Sequence, residues 1–285
     1  MDGMETPTSD LSRVFAQLIQ ARHVRLPPMP GTAAEVLDLC QQADADAQML
    51  SEVIHKDQTI ASNVLRVANS AAYGGQVPCA SLQQAVSRLG MQLVTEIVTA
   101  VSMRGRMFKN QQCVELLDAL WKHSVMTAFY SKEIARLRKR SVDIAFLCGL
   151  LHDVGKAVLL GSVDRVLGNE ELSVPREELF AAIHEQHIAA GQLLADEWKL
   201  PALVAEAIEC HHQEDLAASS ADMAKMVFVA DQLSYSLAPS GLEPAMSEDA
   251  LRAHPVVSSL GMTGEDVDAL LAMREKALEV TAGMS

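Results

Sequence analysis

Seven side chains suited to metal ligation lie on stretches that read as helix, most of them on the apolar side. No other feature constrains the fold as strongly. In chain order they are His123, His152, Asp153, His187, His211, His212 and Asp231. Asp153 sits between Leu150-Leu151-His152 and Val154, and Asp231 ends the run Met226-Val227-Phe228-Val229-Ala230. An ionised aspartate in such surroundings is costly unless a cation meets it. A bound divalent metal would serve both carboxylates, and imidazole and carboxylate suit zinc, iron, manganese and nickel.

The helical reading rests on composition and spacing. Apolar residues make up 49% of the 285, yet aromatics only 4%. A core of Leu, Ala, Val and Met favours helices over a sandwich or barrel. Strict alternation of apolar and polar residues is absent, so the expected fold is all-α. The spacing predicts helices at about 11–23, 32–43, 47–55, 58–70, 81–89 and 91–104. After a break near 105–112 it predicts helices at about 113–137, 141–160, 176–198, 201–213, 220–236 and 264–282. The expected organisation is an N-terminal helical part, 1–112, packed on a metal-binding helical part, 113–285, which includes a C-terminal helix. Asp57 and Ser81 are candidate N-caps, and Gly90 is a stop. Pro201 suits a first helical turn. The segment Leu26-Pro27-Pro28-Met29-Pro30-Gly31 reads as an extended linker, and 73–80 and 237–256 as loops. Residues 1–10 are expected to be disordered.

Charge and cysteines narrow the function classes. The net charge is −14, of which −2 falls on residues 1–115 and −12 on 116–285, which argues against a nucleic-acid surface. Arg104, Arg106 and Lys109 form the one basic cluster of the N-terminal part and read as a solvated face. No apolar run approaches the ~20 residues of a membrane span. The start MDGMETPTSD lacks the regions of a signal peptide, so a cytoplasmic location without membrane partners is expected. Cys40, Cys79, Cys113, Cys148 and Cys210 are odd in number and widely spaced, as reduced thiols are. Cys210 precedes the histidine pair but reads as a core thiol rather than a ligand.

Taken singly, most of the seven have ordinary explanations. A lone histidine on an apolar face, such as His123, is usually a satisfied core residue. His211 and His212 end a helix, where cationic side chains are favoured. Adjacent histidines point about 100° apart, so both ligate only if metals sit over the helix end. Gly191, one turn after His187, would let another backbone approach closely. His184 shares the face of His187; it reads as exposed, the alternative being a contact to a ligating side chain or a phosphate. Lys156 follows the His152-Asp153 pair and either neutralises a phosphoryl group or ends a helix at the surface. Taken together, separate helices each offering a metal-type ligand favour coordination.

The segment Gly149-Leu150-Leu151-His152-Asp153-Val154-Gly155-Lys156 resembles the defining motif of the HD superfamily of metal-dependent phosphohydrolases. Four further segments resemble the HDOD domain, the HD-related output domain of bacterial signalling proteins. They are Leu26–Pro30, Ile54–Asp57, Leu65-Arg66-Val67-Ala68-Asn69-Ser70-Ala71-Ala72-Tyr73-Gly74, and Ala85–Gly90. The likeness spans about residues 20–235. It implies an HD-type helical bundle, a role in signal transduction with a protein partner, and a divalent metal centre of two ions. One ion would take His123, His152, Asp153 and Asp231. The other would take Asp153, His187, His211 and His212, with Asp153 shared. It also implies a nucleotide or phosphoester ligand, with Asp153 and Lys156 as catalytic residues. The HD-GYP phosphodiesterases are related, but Gln213-Glu214-Asp215-Leu216 follows the histidine pair here, with no DGxGYP segment. Ala119 stands where trinuclear members have a glutamate. Cyclic di-GMP hydrolysis is therefore not expected. The alternative to an enzyme is a non-catalytic module whose metal site is structural or senses a ligand.

Overall fold

Polar caps set many of the helix starts. Ser9 accepts from Ser12 N at the head of α1 (Asp10–Gln20). Asp46 does the same for α3 (Ala47–His55), Asp57 for α4 (Gln58–Ala68), Ser81 for α5 (Leu82–Leu89) and Ser141 for α8 (Val142–Leu151). Each cap satisfies an orphan N–H of a first turn, stabilising it by about 1 kcal/mol. The other long elements of this computed structural model are α2 (Gly31–Cys40), α6 (Met91–Met107), α7 (Val114–Leu137), α11 (Arg176–Trp198), α12 (Ala202–Cys210) and α13 (Asp222–Tyr235). Short helices α9 (Val154–Leu160) and α10 (Val163–Leu167) follow α8. The chain closes with α14 (Glu248–Arg252), α15 (Pro255–Ser259), α16 (Gly264–Leu271) and α17 (Arg274–Met284). The structure describes residues 9–40, 42, 44–70, 73–107, 110, 113–167, 174–213, 216–218, 221–237 and 246–284, and contains no strand among them.

Helix α7 is the axis. From Leu120 to Ala135 all but Lys122 are buried, and a helix buried all round lies in the core. It packs on α8, α13 and α17. Helix α11 packs on α9 and on α1. Helix α17 reaches back to α4 and α6, so the last helix ties the early ones to the axis. One continuous apolar core runs from Leu11 to Met284. A buried pair, Lys132 Nζ to Glu96 Oε2 at 2.5 Å, bridges α6 and α7 within it.

Two glycines set the closest helix contacts. A Cβ on Gly149 would stand 2.7 Å from Ala128 Cα, so its absence lets α8 lie against α7. A Cβ on Gly155 would stand 1.8 Å from His187 O and 2.6 Å from Gly191 N, so α9 and α11 meet backbone to backbone. The close approach expected at Gly191 is this contact.

The Asn69-Ser70 block fixes a loop. Asn69 Nδ2 donates to Cys79 O at 3.0 Å and its Oδ1 accepts from Cys79 N at 2.7 Å. Arg88 donates to Ala68 O and Val77 O, clamping the same loop. Residues 71 and 72, Lys109 and the side chains of Cys40 and Arg106 lie outside the described set, as do 1–8 of the expected disordered start. Arg104 is paired with Asp118 at 3.1 Å.

Several expectations need correction. The single helix 141–160 is two, because the chain turns at His152 and Asp153. Asp153 has φ −102° and ψ 14° and makes no side-chain cap, which leaves its carboxylate to the interior. Pro201 is the N-cap of α12, with extended ψ 143°, not its first turn. The helix 264–282 is likewise two, and α14 and α15 occupy part of the expected loop 237–256. The stretch Val142–Val166 is long and apolar enough to cross a bilayer, with mean hydropathy 1.6 over its best window. That window is 83% buried inside the fold, so its apolarity is core packing.

Candidate metal centre

Five helices or helix ends converge on one buried point. Helix α7 supplies His123, the α8–α9 turn supplies His152 and Asp153, and α11 supplies His187. The end of α12 supplies His211 and His212, and α13 supplies Asp231. His211 is the C-cap of α12, so both histidines lie at or past the helix end, as joint ligation required. All seven side chains are brought together. Six are buried to 2% exposure or less, and His212 is half-buried.

The seven form two overlapping groups whose ligand atoms lie within 4.8 Å of one another. One is His123, His152, Asp153 and Asp231; the other is Asp153, His187, His211 and His212. Asp153 belongs to both. Its Oδ2 lies 3.4 Å from His152 Nε2 and 4.0 Å from His123 Nε2. Its Oδ1 lies 3.6 Å from His187 Nε2 and 3.5 Å from His211 Nε2. Asp231 Oδ1 lies 2.8 Å from His123 Nε2 and 3.2 Å from His152 Nε2.

The backbone sets the histidine tautomers. His152 Nδ1 lies 2.8 Å from Gly149 O, and His187 Nδ1 lies 2.6 Å from His184 O. His211 Nδ1 lies 3.0 Å from Ile208 O and 3.1 Å from Ala207 O. A carbonyl only accepts, so each Nδ1 carries a proton and each Nε2 is presented to the centre. This is how ligating histidines are held.

The residues present fit a metal. Asp153 Oδ1, His187 Nε2 and His211 Nε2 are buried and make no hydrogen bond among the described residues. Orphaned buried polar atoms each cost about 1–3 kcal/mol, and these three face one another. A cation between them would satisfy all three. Cys210 is in neither group; its Sγ accepts from Gln213 at 3.2 Å. Cys79, Cys113, Cys148 and Cys210 are free thiols.

Electrostatics agree. Burial alone would raise both carboxyl pKa values, but neighbouring charges and hydrogen bonds prevail. Lys156 and His152 hold Asp153 well below the carboxylate range, and His123 and His152 hold Asp231 low. Burial alone would lower His152, but Asp153 and Asp231 push it up to about 10. Without a metal, the His152 imidazolium and the Lys156 ammonium supply the positive charge that the carboxylates need. His187 is held well below 6.5 by burial and by Lys156. His211 is lowered to about 4, chiefly by burial. Both are neutral near pH 7, the state in which imidazole ligates.

Lys156 is not a surface residue. It is fully buried, and its Nζ lies 2.7 Å from Asp153 Oδ2. His184 is exposed, as expected, with its ring centroid 5.8 Å from that of His187 and 5.7 Å from that of His212. Sequence reasoning missed Gln232, whose Nε2 donates to Asp231 Oδ2 at 3.2 Å. It also missed Thr127 and Ser234. Thr127 Oγ1 lies 3.0 Å from both His123 O and Ser234 Oγ, joining α7 to α13 beside the centre.

Known proteins resemble this chain in sequence or in structure. An uncharacterised protein of Treponema pallidum is 24% identical over 217 residues, covering 73% of this chain. The chain spans about two fifths of that curated relative, 41% of its length. A Shewanella amazonensis structure, provisionally described as a metal-dependent phosphohydrolase, superposes with TM-score 0.72 at 20% identity. It covers 96% of this chain, and this chain covers 98% of it. A Marinobacter aquaeolei structure, provisionally described as a signal transduction protein, gives TM-score 0.71 at 18% identity. It covers 98% of this chain, and this chain covers 67% of it. At these identities the likeness establishes the all-helical fold. The HDOD domain family matches residues 26–214, about two thirds of the sequence, and the chain belongs to that family.

Proposed function

We propose that this HDOD protein is a cytoplasmic signalling protein with a dinuclear metal centre that hydrolyses a phosphoester, such as a nucleotide. One observation carries the reading: two complete ligand groups share the single carboxylate of Asp153. His123, His152 and Asp231 would hold one ion, and His187, His211 and His212 the other. Iron, manganese, zinc and nickel all suit this donor set. Such ions supply Lewis-acid polarisation of a phosphoryl group and activation of water. Asp153 positions the two ligand groups relative to each other. Lys156 holds Asp153 from the protein side and keeps it ionised. Its ammonium is placed to compensate negative charge brought by a phosphoryl group. His184 and His212 form the outer edge of the cluster, where an anionic ligand would arrive.

The depth of the cluster favours a second reading. Catalytic metal sites keep an open position, whereas six of these seven side chains are almost wholly buried. A non-catalytic signalling module with a structural or ligand-sensing metal fits that enclosure. The two readings part in one experiment. Metal-loaded protein is assayed against nucleotides, cyclic dinucleotides and an aryl phosphate, beside Asp153→Ala. Turnover abolished by the substitution supports the enzyme. Two bound metals without turnover leave the signalling module standing, and absence of bound metal overturns both.

A further inference from the structure

Gln232 makes two hydrogen bonds at once. Its Nε2 donates to Asp231 Oδ2 at 3.2 Å, and its Oε1 accepts from Met246 N at 3.1 Å. Asp231 Oδ1 is turned towards His123 and His152. The Gln232 amide therefore fixes which oxygen of Asp231 faces the centre. It also fastens the backbone that leads into α14. That region lies on α13 elsewhere too, since α14 and α15 pack on it and Phe228 lies 4.7 Å from His254, ring to ring.

We infer that Gln232 is a positioning residue that couples the ion held by His123, His152 and Asp231 to the docking of residues 246–260. This rests on the metal centre proposed above. A group that orients a ligating carboxylate typically changes metal affinity ten- to a hundredfold when removed. Coupling is reciprocal, so what metal gains from a docked segment, the docked segment gains from metal. Asp231 belongs to one ligand group only, so the effect falls mainly on that group's ion and reaches the other only through the shared Asp153.

The test uses the full chain, titrated with Mn2+ by calorimetry and followed by hydrogen exchange over 246–260. Gln232→Met keeps the side-chain length and removes both hydrogen bonds. It is expected to weaken one of two bound ions ten- to a hundredfold and to change the other much less. It is also expected to abolish the slowing of exchange that metal brings to 246–260 in the wild type. Met246→Pro removes the backbone donor and leaves the Gln232 donation to Asp231 intact. It is expected to lose that slowing with a smaller change in affinity. Should Gln232→Met unfold, Gln232→Asn repeats the test, because its shorter amide cannot reach both partners. Wild-type affinity at both ions in the Gln232 variant, or exchange over 246–260 that ignores metal in the wild type, overturns the inference alone. A wild type that binds none of Mn2+, Fe2+, Zn2+ and Ni2+ overturns the metal centre and the inference with it.

Discussion

Gly155→Ala reports on how the centre is assembled. The added methyl would stand 1.8 Å from His187 O, where an ordinary carbon–oxygen contact needs more than 3 Å. The atom in the way is backbone, so no rotamer change relieves it. Helices α9 and α11 must part by more than an ångström. Overpacking a core costs about 1–3 kcal/mol, and a backbone clash belongs at or above the upper end. At about 2 °C per kcal/mol for a chain of this size, the melting temperature should fall by roughly 6 °C or more. The same displacement moves His187 Nε2 from its 3.6 Å position beside Asp153 Oδ1. Metal affinity should therefore fall mainly in the group that contains His187. Gly105→Ala is the control: it sits in α6 with nothing within 4 Å of a Cβ and should stabilise by about 0.5–1 kcal/mol. Urea unfolding of the metal-free variants gives the stabilities, and Mn2+ calorimetry gives the affinities. A Gly155→Ala protein as stable as Gly105→Ala, with unchanged metal binding, would refute the close packing of α9 on α11.

Other outcomes follow from the same structure. Metal-free stability, followed by melting in chelator, should peak near pH 6.5. His152, raised to about 10, stabilises fully below 6.5, and that contribution is lost as pH climbs towards 10. His187 and His211, both lowered, stabilise above 6.5 and lose it as pH falls; Asp153 and Asp231 lose theirs below the ordinary carboxylate range. A melting temperature flat from pH 5 to 9 would contradict this. Lys132→Met should cost about 3–5 kcal/mol by stranding Glu96, while the double variant with Glu96→Gln should recover most of the loss; equal melts for the two would exclude the pair's burial. Asn69→Ala should cost about 1–3 kcal/mol, and proteolysis should then begin in the 73–80 loop.

The sequence made the ligand set legible because each member is a polar residue set into an apolar stretch. Burial makes such residues expensive, so their purpose shows. Helix α11 was legible to the residue, from Arg176 to Trp198: Pro175 precedes it, and Lys199 leaves it in the left-handed conformation. The turn at His152-Asp153 was not legible. Apolar residues continue on both sides without proline, and the break arises where the two side chains turn towards the centre. Helices α14 and α15 are five residues each, too short to show a period. Gln232 left no signal because it is half-buried, and its role exists only through Met246, fourteen residues on. Lys156 read either as a partner for a phosphoryl group or as a helix-ending surface lysine, and its burial against Asp153 was not legible.

The central claim is that two ions share Asp153. Protein loaded with Mn2+, crystallised and measured at the manganese edge tests it most directly. Two anomalous peaks per chain are predicted, one among His123, His152 and Asp231, the other among His187, His211 and His212, with Asp153 between them. A single peak, or density at neither group, would contradict the account.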